Sequence, residues 1–178
     1  MKNAMTARLA LPVTCLLFAA STMCGDEDSG QATPAKALPS DWVGKPAPAL
    51  VTGDLFNGPA ELSLDKLRGK VVLLNFSLTS CPVCVKKLPR LEAIHDKYKD
   101  EGLVVIGIHP AEESEGMGDW LKDRDVTYPI AVDKGDTASR YAINEWPTYF
   151  LIDQAGKVVW GLTKEPPTDM QIEVLLPK

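Results

Sequence analysis

The chain has 178 residues, 45% hydrophobic and 24% charged, which bounds it to one domain, or one domain with a short appendage. A wholly disordered, collagenous or coiled-coil protein is excluded on the same figures. Its 19 basic and 24 acidic residues give a net charge of −5, without the basic footprint that nucleic-acid binding requires.

Residues 1–23 read as an export signal. Lys2 and Arg8 charge its start, Leu9–Ala20 is a mostly apolar stretch, and small residues follow at Ala19, Ala20, Ser21 and Thr22. That stretch is too short to cross a hydrocarbon core, which needs about 20 residues. Two routes of maturation are open. Release at the small-residue cluster would give a soluble protein. Cleavage before Cys24, with a lipid placed on that cysteine, would tether the chain to a membrane and resembles a bacterial lipoprotein, although Met23 fits such a signal poorly. Either route gives an exported chain, expected in the bacterial periplasm. Loss of residues 1–23 removes Lys2, Arg8 and Cys15 but no acid, leaving 17 basic and 24 acidic residues and a net charge of −7.

Residues 24–41 are rich in Gly, Ser, Pro, Ala and acid, lack periodicity, and read as a flexible tether. From Trp42 to the C-terminus the pattern is that of a compact α/β domain. Val71–Phe76 is a continuous apolar run, as expected of a strand covered on both faces. A helix is expected over Pro82–Lys99, because Val85, Leu88, Leu91, Ile94 and Tyr98 recur at spacings of three and four, and Gly102 suits its end. Leu103–Ile108 is a second buried strand, completing a βαβ unit with a right-handed crossover. A weaker helix is expected over Ser114–Arg124, a short strand over Tyr128–Val132, and a short helix over Asp136–Ala142 with Asp136 as its cap. Thr148–Ile152 and Lys157–Gly161 flank a turn and read as an antiparallel hairpin, and Thr168–Leu176 closes the fold as a helix.

Four cysteines are too few for a disulfide-built scaffold, and the pair Cys81 and Cys84 forms a C-x-x-C. Cys81 follows the first buried strand directly, and Cys84 lies one turn into the next helix. Unpaired N–H groups and the positive dipole end at a helix N-terminus favour a thiolate, so Cys81 is expected to be the exposed attacking sulfur with a pKa below the free value of about 8.5. Cys84 is close enough to attack a mixed disulfide and release the substrate. Pro82 is tolerated in the first helical turn. Metal binding would need about two further ligands, and the mature chain offers only His95 and His109, without finger-like spacing. Both are expected to be solvated, His95 on the helix flank and His109 at a strand end. No metal and no cofactor are implied.

Trp146-Pro147-Thr148 precedes the hairpin, and here the chain resembles the thioredoxin superfamily, in particular its exported TlpA/ResA-like branch. Further marks are Gly44-Lys45-Pro46-Ala47-Pro48 at the entry, Leu67–Val72 before the active-site strand, Pro89 in the helix, and Phe150–Asp153 with Gly156-Lys157 in the hairpin. The resemblance implies an α/β thioredoxin-like fold over residues 42–178: a central mixed sheet flanked by helices, with an inserted helix and strand between Cys84 and Pro147. It also implies a cis Pro147 that, with Trp146 and Thr148, shapes the surface where substrate docks. Trp146 could read substrate or simply pack.

The departures carry information too. Ser77-Leu78-Thr79-Ser80 stands where relatives often carry aromatics. Asn75 stands where classical thioredoxins bury an aspartate, and Lys87 where cytochrome-maturation reductases often have a glutamate. A lysine close to the pair would favour a thiolate at Cys81; a solvated one would not. The function implied is an exported thiol–disulfide oxidoreductase acting through C-P-V-C, as a reductant. Its partners would be protein thiols or disulfides and a membrane or periplasmic electron relay. A peroxiredoxin would need Pro and Thr where this chain has Leu74 and Leu78. A copper or enzyme-maturation chaperone using the same cysteines is the alternative, since C-P-V-C also resembles an accessory protein of methylamine dehydrogenase assembly.

Overall fold

The computed structural model describes residues 42–178. The export signal, the tether and Cys24 lie outside the described residues. Six strands form one mixed sheet: β1 (Thr52–Phe56), β2 (Val71–Phe76), β3 (Leu103–His109), β4 (Ile130–Asp133), β5 (Thr148–Ile152) and β6 (Val158–Thr163), in the order β1-β4-β3-β2-β5-β6. β2, β3 and β4 run parallel, whereas β1, β5 and β6 pair antiparallel with their neighbours. Four helices accompany them: α1 (Pro82–Tyr98), α2 (Met117–Lys122), α3 (Thr137–Arg140) and α4 (Asp169–Glu173).

β2 is buried at every position because both of its faces are covered. Val71 and Leu73 point to the layer of α1, where they meet Leu88, Leu91, Ile94 and Tyr98. Val72, Leu74 and Phe76 point the other way, toward Leu62, Leu64, Tyr141 and Phe150. The period of two along β2 thus divides the core into two layers. α1 has the apolar stripe that its sequence spacing predicts and ends in a short 3-10 turn before Gly102, whose φ of 105° needs no side chain. Val71 N–H then donates to the Gly102 carbonyl (2.9 Å), closing the βαβ unit.

The differences from sequence expectation have local causes. β1 was not expected, because Gly53 and Asp54 are poor strand formers; it is held only as an edge, against β4. α2 begins at Met117 rather than Ser114, after Gly116 in the left-handed region (φ 73°). β4 begins after Pro129, which has no N–H to donate to the ladder. Asp136 makes no side-chain cap to α3. The cap comes from buried Asp133, whose carboxylate accepts from the N–H groups of Gly135, Thr137 and Ala138 at 3.0, 2.9 and 2.8 Å. The expectation of solvated histidines also fails: His109 is 1% exposed, and His95 is half-buried with its Nδ1 inside. No helix among the described residues is long and apolar enough to cross a membrane.

Leu91, fully buried between α1 and the sheet, anchors the helix that carries the cysteines. Leu91→Ala is expected to cost about 2–5 kcal/mol, read as a lowered urea midpoint with an unchanged slope.

Candidate active site

β2 ends at Phe76, and the chain crosses from it to α1 through Ser77-Leu78-Thr79-Ser80. Cys81 is the residue before the helix, in extended conformation (φ −90°, ψ 110°), and its Sγ accepts the N–H of Cys84 at 3.2 Å. This is the capping position, where a backbone donor of the first turn lacks a helical partner. The sulfur of Cys81 takes the place that a serine or aspartate oxygen usually fills. Cys81 is half-buried and Cys84 is 2% exposed, and both are free thiols. Pro82 and Val83 between them are exposed, Val83 at 53%.

The two thiols therefore have unequal surroundings. Burial pushes the Cys84 thiol up from 9.0 to about 11, and its contact with the Cys81 sulfur adds to this, while the Leu78 backbone and Ser77 hydroxyl oppose it. A buried thiol without a carboxylate beside it holds its proton at neutral pH.

The Trp146–Pro147 peptide is cis. Phe76 pairs with Thr148 across the β2–β5 ladder, so the antiparallel register carries Pro147 level with Ser77, at the sheet end from which the cysteines depart. Pro147 and Thr148 are buried, and Thr148 Oγ1 donates to the Glu145 carbonyl at 2.7 Å. Trp146 is half-buried and packs against the core layer of Trp42, Tyr141 and Phe150. Lys87 is ion-paired with Glu165, so its charge is met by a neighbouring carboxylate rather than by a sulfur.

Two polar features stand out around the site, and sequence reading missed the second. Asn75, singled out in the sequence for standing where an aspartate is usual, is buried, with Tyr149 its register partner in β5. Its amide and the hydroxyls of Tyr128 and Tyr149 are buried without hydrogen-bond partners among the described residues. Burial pushes the Tyr149 phenol up, with Tyr128 and Cys84 contributing. The other is Glu113, in the turn after β3. Its carboxylate accepts from Thr79 N–H at 2.7 Å and Ser80 N–H at 3.4 Å, and it lies 3.3 Å from His109 Nδ1. Burial raises its pKa, but the bonds from His109, Thr79 and Ser80 outweigh this and hold it down at about 2. In the sequence, Glu113 sits in an acidic run that reads as a solvated face; its spacing of four from His109 was the only signal.

At pH 7 and low iodoacetamide, Cys81 is expected to be the one thiol of the C-x-x-C that takes a label in the native protein, with Cys84 labelled only after unfolding. Peptide mapping checks this, and labelling of Cys84 first would contradict the asymmetry.

Comparison with known proteins agrees with this geometry. Residues 42–175 match the redoxin family. The chain is 37% identical over 137 residues to the thiol-disulfide oxidoreductase ResA of Bacillus cereus, covering 76% of this chain and 78% of that protein. It is 36% identical over 107 residues to protein DipZ of Mycobacterium tuberculosis, covering 57% of this chain but only 15% of DipZ. Among solved structures, a thiol-disulfide isomerase from Corynebacterium glutamicum superposes with a TM-score of 0.65 at 25% identity, covering 74% of this chain and 97% of the other. The mixed six-stranded sheet flanked by helices is thioredoxin-like, as the sequence resemblance implied. The chain belongs to the redoxin family of the thioredoxin superfamily, in its ResA-like branch, and is a thiol–disulfide oxidoreductase.

Proposed function

We propose that Cys81 and Cys84 are the redox-active pair and that the protein works as a reductant of protein disulfides. The observation that carries this is the asymmetric pair at the start of α1: an accessible sulfur receiving the Cys84 N–H, above a buried thiol. The Cys81 thiolate attacks one sulfur of a substrate disulfide, and the other leaves as a thiolate. This gives a mixed disulfide between Cys81 and the substrate. Cys84 loses its proton and attacks the Cys81 sulfur, releasing the second substrate thiolate and leaving a Cys81–Cys84 disulfide. Two electrons pass from the pair to the substrate, the Cys84 proton goes to one substrate thiolate and solvent protonates the other, and an electron-relay partner must restore the reduced pair.

Burial keeps Cys84 protonated in the reduced pair. The dithiol form gains no thiolate stabilisation at that sulfur, whereas strong oxidants of this class owe their high potential to a stabilised reduced form. In this reading cis Pro147, Trp146 and Thr148 border the docking surface, and exposed Val83 beside Cys81 offers an apolar contact to the incoming segment. Residues 1–23 would be an export signal, 24–41 a tether and 42–178 the catalytic domain. The protein would work in the periplasm, soluble or held to a membrane by a lipid on Cys24. A copper-carrying role would want an imidazole free beside the thiols, and His109 is instead buried against Glu113 and the ring of Trp120.

Cys81→Ser is expected to abolish dithiol-driven reduction of a protein disulfide. Cys84→Ser is expected to accumulate a mixed disulfide on non-reducing electrophoresis. Full activity in the Cys81 variant would overturn the assignment.

A further inference from the structure

We infer that Glu113 is a positioning residue for the attacking sulfur, a carboxylate clamp that fixes the turn from β2 to α1 and thereby sets the place of Cys81. This rests on the reading of Cys81 as the nucleophile.

The backbone N–H groups of the turn each have a definite partner. Ser77 N–H donates to the Ile108 carbonyl at 3.0 Å, so β3 holds the start of the turn. Leu78 backbone lies against the Cys84 thiol and favours its ionised form. Cys81 N–H donates to the Leu78 carbonyl at 3.3 Å, and Cys84 N–H donates to Cys81 Sγ at 3.2 Å. Thr79 and Ser80 remain, and both N–H groups go to Glu113, as does the Ser80 hydroxyl at 3.3 Å. Among the described residues, Glu113 is thus the one side chain from another element that grips the turn at the two residues before Cys81. It is a built contact, because the Glu113 side chain is only 14% exposed and is itself seated by His109, which is 1% exposed at the end of β3. Trp120 of α2 packs edge-on to His109, with the ring centroids 6.0 Å apart.

Thr79 and Ser80 are small polar residues that cannot hold the turn by apolar packing. The grip must come from hydrogen bonds, and a bidentate carboxylate supplies them with charge assistance. Because Glu113 stays ionised down to about pH 2, the clamp is closed throughout the neutral range. Displacing a nucleophile by about 1 Å can cost on the order of 100-fold in rate, so a turn freed at two consecutive amides is expected to slow attack on a bulky protein disulfide.

The test separates reach from charge. Glu113→Asp keeps the charge but loses a methylene of reach, and Glu113→Gln keeps the reach and one acceptor oxygen. Glu113→Asp is expected to lower kcat/KM for a protein disulfide at least about tenfold and to expose the Thr79 and Ser80 amides to hydrogen exchange. Glu113→Gln, which keeps an acceptor for Thr79 N–H but turns an amide NH2 toward Ser80, is expected to keep the Thr79 protection, lose that of Ser80 and fall between wild type and Glu113→Asp in rate. The opposite ranking of the two variants would overturn the inference, because it would make charge the agent. A wild-type rate with unchanged amide protection in Glu113→Asp would also overturn it. Thermal melts in parallel confirm that both variants are folded, and the exchange protection of Thr79 keeps the test decisive if Glu113→Asp alone is unstable, since Glu113→Gln must then retain protection. Cys81→Ser distinguishes the two levels: if it remains active the nucleophile assignment fails, whereas if it is inactive and Glu113→Asp behaves as wild type, only the clamp fails.

Discussion

The bond from Cys84 N–H to Cys81 Sγ depends on one constraint: α1 must begin at the edge of the core where β2, a fully buried central strand, ends. A central parallel strand delivers its C-terminal end to a crossover helix, and the first helical turn arrives with unpaired donors. Placing a cysteine at the cap turns one of these donors into a partner for sulfur. The following residues then fall where the chemistry needs them. Pro82 and Val83 face outward, and Cys84 turns back into the core against Ser77 and Leu78. The unequal exposure of the two sulfurs follows from their places: Cys81 caps the helix at its open end, whereas Cys84, one turn on, joins the buried stripe of Leu88 and Leu91.

The rest of the fold holds that edge steady from three sides. α1 is fixed from below by Leu88, Leu91 and Ile94 against β2 and β3. β5 lies alongside β2 in an antiparallel register that sets the cis Trp146–Pro147 peptide level with the start of the turn. The segment after β3 returns Glu113 to Thr79 and Ser80. The supports come from α1, from β5 and from the segment after β3, so the site is a property of the fold around the end of β2 rather than of the C-x-x-C alone.

Much of this was legible in the sequence, for identifiable reasons. The apolar run Val71–Phe76 and the three- and four-residue spacing in α1 are strong periodic signals, and both elements appear where they were expected. The cis peptide could not be read from spacing, since most X-Pro bonds are trans; the resemblance implied it. β1 escaped because an edge strand needs little apolar sequence. The cap of α3 was assigned to Asp136, but Asp133, at the end of β4, reaches three N–H groups that Asp136 does not. Glu113 was invisible for a related reason: its role lies in bonds to Thr79 and Ser80, more than 30 positions earlier, and an acidic run looks the same whether it is solvated or clamped, while the burial of His109 beside it follows from that tertiary contact. Asn75, with Tyr128 and Tyr149, marks a polar spot in the core, at the position where the resemblance implied a buried carboxylate in classical thioredoxins.

The reduction potential of the Cys81–Cys84 pair tests the central claim most directly, measured by equilibrating the protein with defined ratios of reduced and oxidised glutathione or dithiothreitol. A single two-electron transition near the potential of thioredoxin, about −270 mV, is expected. A value near about −120 mV, typical of the oxidant DsbA, or failure of the two thiols to form a disulfide at any poise, would contradict it.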